Sequence, residues 1–172
     1  EMTIQQKRVY KAVLERNRKF LGRGSHMKEL PQLVMIIAEL RKICNHPYLC
    51  RGSRAAIEDD DKTDKIQRKK KEGEDFKPND VLVDASGKIV LLMKLIPKLK
   101  AEKSKLLIFS QFTTTLDLIE EFLHKYKHRF CRIDGSTPGT IRGRIISYFN
   151  DPANEIDIFL LTPRPGGLGL TL

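Results

Sequence analysis

The chain has 172 residues, 40% hydrophobic and 31% charged, which bounds it to one ordinary soluble domain with an appendage. No apolar run approaches the roughly 20 residues that a membrane-spanning helix needs, and the N-terminus lacks a charged-then-apolar leader, so a soluble intracellular protein is expected. Cys44, Cys50 and Cys131 are too few for a secreted disulfide scaffold and are expected to be free thiols. Lys and Arg number 32 against 22 Asp and Glu, a formal charge of +10 that favours a polyanionic partner. The surplus is uneven: 10 basic against 4 acidic residues up to Cys50, 9 against 10 over 51–84, and 13 against 8 from Ala85 onward.

In the first segment, Tyr10, Val13 and Leu14, then Leu33, Ile36, Ile37, Leu40 and Ile43, recur at helical spacing and predict two helices. Between them, Gly22-Arg-Gly-Ser-His-Met27 resembles the remnant of a cleaved affinity tag, and no function is drawn from it. Residues 51–84 hold Glu58-Asp-Asp-Asp61 and Arg68-Lys-Lys-Lys71, few apolar side chains and no sustained period. They are expected to form a charged flexible linker or insertion. The basic run also fits a nuclear address, although solvated lysine-rich loops are commoner.

From Ala85 two periods alternate. Ile89, Leu92, Met93 and Ile96 make a helical face, and Lys105-Leu-Leu-Ile-Phe109 suits a buried strand. Phe112, Leu116, Ile119 and Leu123 mark the next helix, followed by a strand over Phe130 to Ile133. Thr137-Pro138 offers an N-cap with proline at the first helical position, leading into Ile141, Ile145, Tyr148 and Phe149. Ile156 to Leu161 predicts a third strand that runs into a glycine-rich turn. Strands separated by helices need crossover connections, so the sheet is expected to be parallel with helices on both faces, an α/β architecture preceded by a helical extension.

Ligands gather beyond the carboxyl ends of such strands, where this sequence places Ser110-Gln111, Asp134-Gly-Ser136 and Thr162-Pro-Arg-Pro-Gly-Gly-Leu-Gly169. Their amides and hydroxyls can approach phosphate oxygens closely, which suits a nucleotide or a nucleic-acid backbone. Gly166-Gly-Leu-Gly169 alone is weak evidence, since glycine clusters more often serve tight turns.

The ordered set Leu40-Arg-Lys-Ile-Cys-Asn-His-Pro-Tyr-Leu49, Ser86-Gly-Lys88, Leu107-Ile-Phe-Ser-Gln111, Arg132-Ile-Asp-Gly-Ser-Thr137 and Leu160 to Leu172 resembles the second RecA-like lobe of the SWI/SNF-type chromatin-remodelling ATPases. The imitation-switch and chromodomain-helicase branches are the most similar. On either side of the charged linker over 51–84, the resemblance implies a helical extension over 1–50 that leads into the lobe and a helicase C-terminal lobe over 85–172. It also implies a nuclear ATP-dependent duplex-DNA translocase that acts on nucleosomes, with ATP and Mg held mainly by a first lobe of the same protein. By position, Ser110, Gln111, Gly135, Ser136 and Thr162 would lie along the DNA backbone, and Arg164, Gly166, Gly167 and Gly169 would serve the nucleotide. Arg142 is read as a structural ion-pairing residue.

No Gly-x-x-x-x-Gly-Lys-Ser/Thr loop and no Asp-Glu-x-His set is found, and the chain stops before the arginine-finger segment. The fragment alone is therefore expected not to hydrolyse ATP. Where the family has Thr-Arg-Ala before the glycines, Pro163 and Pro165 flank Arg164, which removes two N–H groups at that turn. The prolines favour an alternative, a catalytically silent docking module. An RNA helicase lobe is a further alternative, disfavoured by Asn45-His-Pro-Tyr-Leu49. Cys44, His46 and Cys50 lack the ligand pairing of a zinc site, so packing is the expected role, and no metal ligand or catalytic residue is assigned. Asp117, Glu120 and Glu121 are read as a solvated helix face.

Overall fold

The computed structural model describes residues 1–21, 30–72 and 80–163. They fall into two compact units, Glu1–Leu91 and Leu92–Leu172. Among the described residues no helix is long and apolar enough to cross a membrane.

In the first unit, α1 (Ile4–Arg16) starts from a reciprocal capping box. The Thr3 hydroxyl accepts from the Gln6 N–H at 3.2 Å, and Gln6 Oε1 accepts from the Thr3 N–H at 3.0 Å. After the single turn α2 (Arg18–Leu21), helix α3 (Leu30–Asn45) packs on α1 through Val13, Ile43 and Cys50, flanked by Val9, Tyr10 and Leu40. A 3-10 turn at Pro47–Leu49 follows. The buried Gln6 amide satisfies every group it has. Its Nε2 donates to the carbonyls of Ile43 (2.9 Å) and Cys44 (3.0 Å), while Oε1 also accepts from the Gly87 N–H (3.3 Å). His46 is equally enclosed: Nδ1 accepts from the Tyr48 N–H (3.1 Å) and Nε2 donates to the Leu82 carbonyl (2.9 Å), an arrangement that fixes the neutral tautomer. Cys50 packs in the core with its thiol 3.4 Å from Glu39 Oε1, so this segment is held by packing and hydrogen bonds, as its composition suggests.

Where a flexible linker is expected, the structure instead forms a 20-residue helix, α4 (Ser53–Glu72). Low apolar content was a poor guide because the helix needs only one anchor and local charge pairing. Ile57 is buried, and the Ser53 hydroxyl donates to the carbonyls of Pro47 and Cys50. Arg54–Glu58 (2.9 Å) and Asp59–Lys62 (3.0 Å) pair at helical spacing. The short α5 (Val81–Asp84), capped by the Asp80 carboxylate, buries Leu82 and Val83 and leads into α6 (Gly87–Ala101).

The second unit is built on three parallel strands in the order β1-β3-β2: β1 (Leu106–Phe109), β2 (Phe130–Ile133) and β3 (Ile158–Leu161). Helices α7 (Thr113–Lys125) and α8 (Gly139–Asn150) supply the crossovers. Central β3 is buried along its whole length. On one face, Phe159 and Leu161 join Cys131, Ile133, Phe149 and Ile156, with Ile145 and Ile146 of α8 against them. Ile158, directed to the opposite face by strand alternation, neighbours Ile96 and Leu99 of α6, so helices cover both faces as expected. The parallel α/β sheet is confirmed in detail, with two local differences. Strand β1 lies at an edge, so Phe109 is 52% exposed where a buried strand is expected. The start of α8 is also displaced by one residue: Pro138 is its N-cap, and the Thr137 hydroxyl turns back to accept from the Asp134 N–H.

Replacing Gln6 by methionine keeps its bulk but takes the side-chain partner from two carbonyls and two N–H groups, one of them fully buried and three part-buried. The substitution should lower stability by about 3 kcal/mol or more in chemical denaturation, against well under 1 kcal/mol for the exposed Lys11→Met on the same helix.

Candidate nucleic-acid interface

The strand register decides where the three tips lie. Phe109 and Ile133 both pair with Leu161, so Ser110, Asp134 and Thr162 leave the sheet side by side. Two further backbone bonds lock that edge, Ser110 N–H to the Leu161 carbonyl (3.0 Å) and Thr162 N–H to the Ile133 carbonyl (3.2 Å). The result is a shared ledge one residue beyond the regular ladder.

Each expected contact residue has a defined state on this ledge. Ser110 is half-buried, and its hydroxyl turns inward, accepting from the Phe112 N–H (3.2 Å) and donating to the Phe112 carbonyl (3.1 Å) at the start of α7. Gln111 is exposed. Gly135 is exposed, a Cβ there would meet no atom within 4 Å, and its N–H makes no hydrogen bond among the described residues. Ser136 is exposed, but both of its donors are engaged: N–H (2.9 Å) and hydroxyl (2.6 Å) bind Asp134 Oδ1. Thr162 is only 7% exposed, yet its hydroxyl has no partner among the described residues. Among the described residues the donors of this ledge left without a hydrogen bond are thus the Gly135 amide and the buried Thr162 hydroxyl, at the ends of adjacent strands. Arg164, Gly166, Gly167 and Gly169 lie outside the described residues.

The charge centre beneath the ledge is Arg132, which the sequence reading does not single out. From a strand position otherwise flanked by apolar residues, its guanidinium reaches Asp117 (2.7 Å), Glu120 (2.6 Å) and Asp134 (2.8 and 2.9 Å). Burial opposes its charge, but the carboxylate hydrogen bonds outweigh that cost and raise its pKa. Asp117 and Glu120 therefore do have a basic partner, contrary to the expectation of a merely solvated face. The signal was present in the sequence: an arginine inside an apolar strand must find carboxylates, and Asp117 and Glu120 share one helix face three residues apart. Arg142 makes no ion pair among the described residues; it donates from Nε to the Thr137 carbonyl at 3.0 Å and braces the turn, a structural role of another kind than the expected pairing.

Asp134 is held below the ordinary aspartate pKa, first by the Ser136 hydroxyl, against burial, and then by the Ser136 N–H and Arg132. A depressed carboxylate stabilises the fold above its unfolded pKa of about 3.9 and loses that contribution as pH falls through the folded value. Ser136→Ala should therefore raise the Asp134 titration midpoint in carboxyl-detected NMR, lower stability near neutral pH and flatten the loss of stability on acidification below about pH 4, because less of that stability then depends on the carboxylate.

Residues 87–172 match the model of the helicase conserved C-terminal domain. Over the whole chain the protein is 40% identical to chromodomain-helicase-DNA-binding protein 6 of Rattus norvegicus and to chromodomain-helicase-DNA-binding protein 7 of Homo sapiens. It spans 6% of the length of either relative. Among solved structures, the Sulfolobus solfataricus SWI2/SNF2 ATPase C-terminal domain superposes with a TM-score of 0.72 at 24% identity, over 99% of this chain and 64% of that one. The C-terminal part of the Fun30 ATPase domain gives 0.69 at 26% identity, over 98% and 68%. The S. solfataricus SWI2/SNF2 ATPase core in complex with dsDNA gives 0.70 at 22% identity, over 94% and 29%. The chain belongs to the helicase conserved C-terminal domain family and has the RecA-like fold of SWI2/SNF2 ATPase C-terminal lobes.

Proposed function

We propose that this chain is the C-terminal motor lobe of a nuclear ATP-dependent translocase that moves along duplex DNA and remodels nucleosomes. The observation that carries the reading is the ledge itself, where the Thr162 hydroxyl lies buried and unpartnered next to the open Gly135 amide. A buried hydroxyl without a partner costs about 1–3 kcal/mol, a cost that a phosphate oxygen accepting its proton would remove. The absence of a Cβ at Gly135 lets a backbone phosphate approach the amide closely. Ser136 would donate to a phosphate only once Asp134 releases its hydroxyl, and Ser110 and Gln111 border the track.

In the proposed enzyme, ATP and Mg lie between this lobe and a first lobe that supplies the phosphate-binding lysine and the metal-coordinating acid. Bound there, ATP would provide the free energy of opening and closing. The described ledge offers two donors without a partner, a fit for one phosphate group and not for a triphosphate, so no hydrolytic step is assigned to its residues. On this reading the 172-residue chain alone does not hydrolyse ATP.

One observation favours a silent docking module instead. Pro163 follows Thr162 directly and is exposed, so the ledge lacks an N–H at the position where a phosphate would meet the backbone. Restoring Pro163→Thr together with Pro165→Ala in the longer protein separates the readings. A damaged motor should gain DNA-stimulated ATPase, and a docking module should show none before or after.

The chain should bind duplex DNA with log affinity falling linearly as log salt rises. Thr162→Val should weaken that binding about tenfold without changing the salt slope, because a neutral hydroxyl releases no counterion. The same substitution should leave thermal stability unchanged or higher, since it removes an unpaired buried group. Equal binding to duplex DNA and heparin at low salt would remove the DNA contact from the assignment.

A further inference from the structure

A groove of about 310 Å³ runs along α1 in the first unit, opposite the turn that enters α4. Its floor is apolar, formed by Val9, Ala12, Val13 and Ile57. Its rim carries Arg8, Arg16 and Arg51 against the single carboxylate of Asp60. Arg8 is bonded to Asp60 and Arg16 to Glu39 (2.7 Å), whereas Arg51 is exposed with no carboxylate partner among the described residues. At one end, the Oε1 atom of Gln5 is buried without a hydrogen-bond partner among the described residues.

We propose that this groove docks an acidic peptide segment anchored by apolar side chains. Three features of the site select that occupant. The lining runs from Gln5 to Arg16, eleven helical steps or about 16 Å, the reach of about five extended residues. The rim excess of positive charge, and Arg51 above all, calls for carboxylates, while the apolar floor calls for side chains such as leucine and offers nothing to a nucleic-acid backbone. The Gln5 Oε1 acceptor, unpaired among the described residues, calls for a hydrogen-bond donor, which a peptide N–H supplies and an ionised fatty acid does not. The volume lies at the lower end of the range for ligand sites, enough for the apolar anchors with the backbone riding at the rim. The inference concerns a different part of the chain from the phosphate ledge and stands independently of the DNA reading.

The test uses the intact 172-residue chain and a fluorescein-labelled heptapeptide alternating Asp or Glu with leucine, followed by anisotropy. A copy with lysine in place of the acids and a competition with decanoate provide the comparisons. The acidic peptide should bind at least about tenfold tighter than the lysine copy, a difference of about 1.4 kcal/mol. Ala12→Trp, which fills the floor, and Arg51→Glu, which reverses the open rim charge, should each weaken binding about fivefold or more, and duplex-DNA affinity should be unchanged by Ala12→Trp. Gln5→Leu should weaken the peptide while leaving the melting temperature unchanged or higher, a pair of signs that general damage to the fold does not produce. The proposal fails if the lysine copy binds equally well, if Ala12→Trp retains its melting transition and full affinity, or if decanoate displaces the peptide at comparable concentration. Should Ala12→Trp not fold, the surface substitution Arg51→Glu decides alone.

Discussion

A parallel pairing of β1 and β2 on the two sides of β3 is the constraint from which the rest of the second unit follows. Parallel neighbours cannot be joined by hairpins, so each strand must be followed by a helix that returns the chain to the starting edge. All three strands then end at the same edge, and the register sets Ser110, Asp134 and Thr162 abreast. The central strand is closed to solvent on both faces, and four apolar residues, Ile158 to Leu161, are the consequence. Only beyond Leu161 can the chain carry a polar side chain, and Thr162 is that residue. The ledge is thus the first place at which a polar group can emerge, and it does so at a position still sealed enough to leave its hydroxyl without water.

Polar groups fix the local shape in both units by being completely satisfied or conspicuously not. Gln6 uses two donors and two acceptors to tie the start of α1 to the end of α3 and the start of α6, and His46 does the same between the 3-10 turn and α5. Arg132 performs the equivalent task under the ledge. It bonds Asp134, Asp134 holds both donors of Ser136, and the Asp134–Thr137 turn is closed from the other side by the Thr137 hydroxyl and Arg142. At the opposite edge of the same sheet, the Lys105 ammonium sits 4.4 Å from the Phe149 ring centroid and bonds the Phe149 carbonyl, closing the last turn of α8. Satisfied networks of this kind are stiff, and a stiff turn can present the Gly135 amide in one direction.

Much of this was legible in the residues. Strand–helix alternation from Lys105 onward follows directly from the change between apolar runs and helical spacing, and the parallel sheet follows from the alternation. What periodicity does not carry is the partner of an individual side chain. Phe109 reads as buried because its strand is apolar, and only the strand order shows that β1 is at an edge. Arg132, Asp117 and Glu120 are 12 to 15 positions apart, beyond any local pattern, and meet because a crossover returns β2 beneath α7. Helix α4 was missed for the converse reason: composition measures how much apolar surface a segment can bury, whereas a helix with internal ion pairs needs little beyond Ile57. The same limit applies to Gln6, whose identity as a hub depends on carbonyls 37 and 38 positions away.

The two places where the described structure leaves a buried polar side-chain atom unpaired, Gln5 Oε1 and Thr162 Oγ1, differ in what surrounds them, and the difference separates two kinds of recognition. Thr162 offers a donor beside an open amide on a rigid edge, with charged side chains already neutralised beneath it, and such a site recognises an anionic oxygen by geometry. Gln5 offers an acceptor above an apolar floor with arginines around it, and such a site recognises a chain that brings its own N–H groups, apolar bulk and negative charge together. A nucleic-acid phosphodiester cannot satisfy the second because it brings no donor and no apolar surface. A peptide of that composition is poorly suited to the first, where nothing apolar is available to receive its side chains. The chemistry of the unpaired atom, donor or acceptor, therefore selects the partner class more sharply than the net charge of +10, which attracts every polyanion alike.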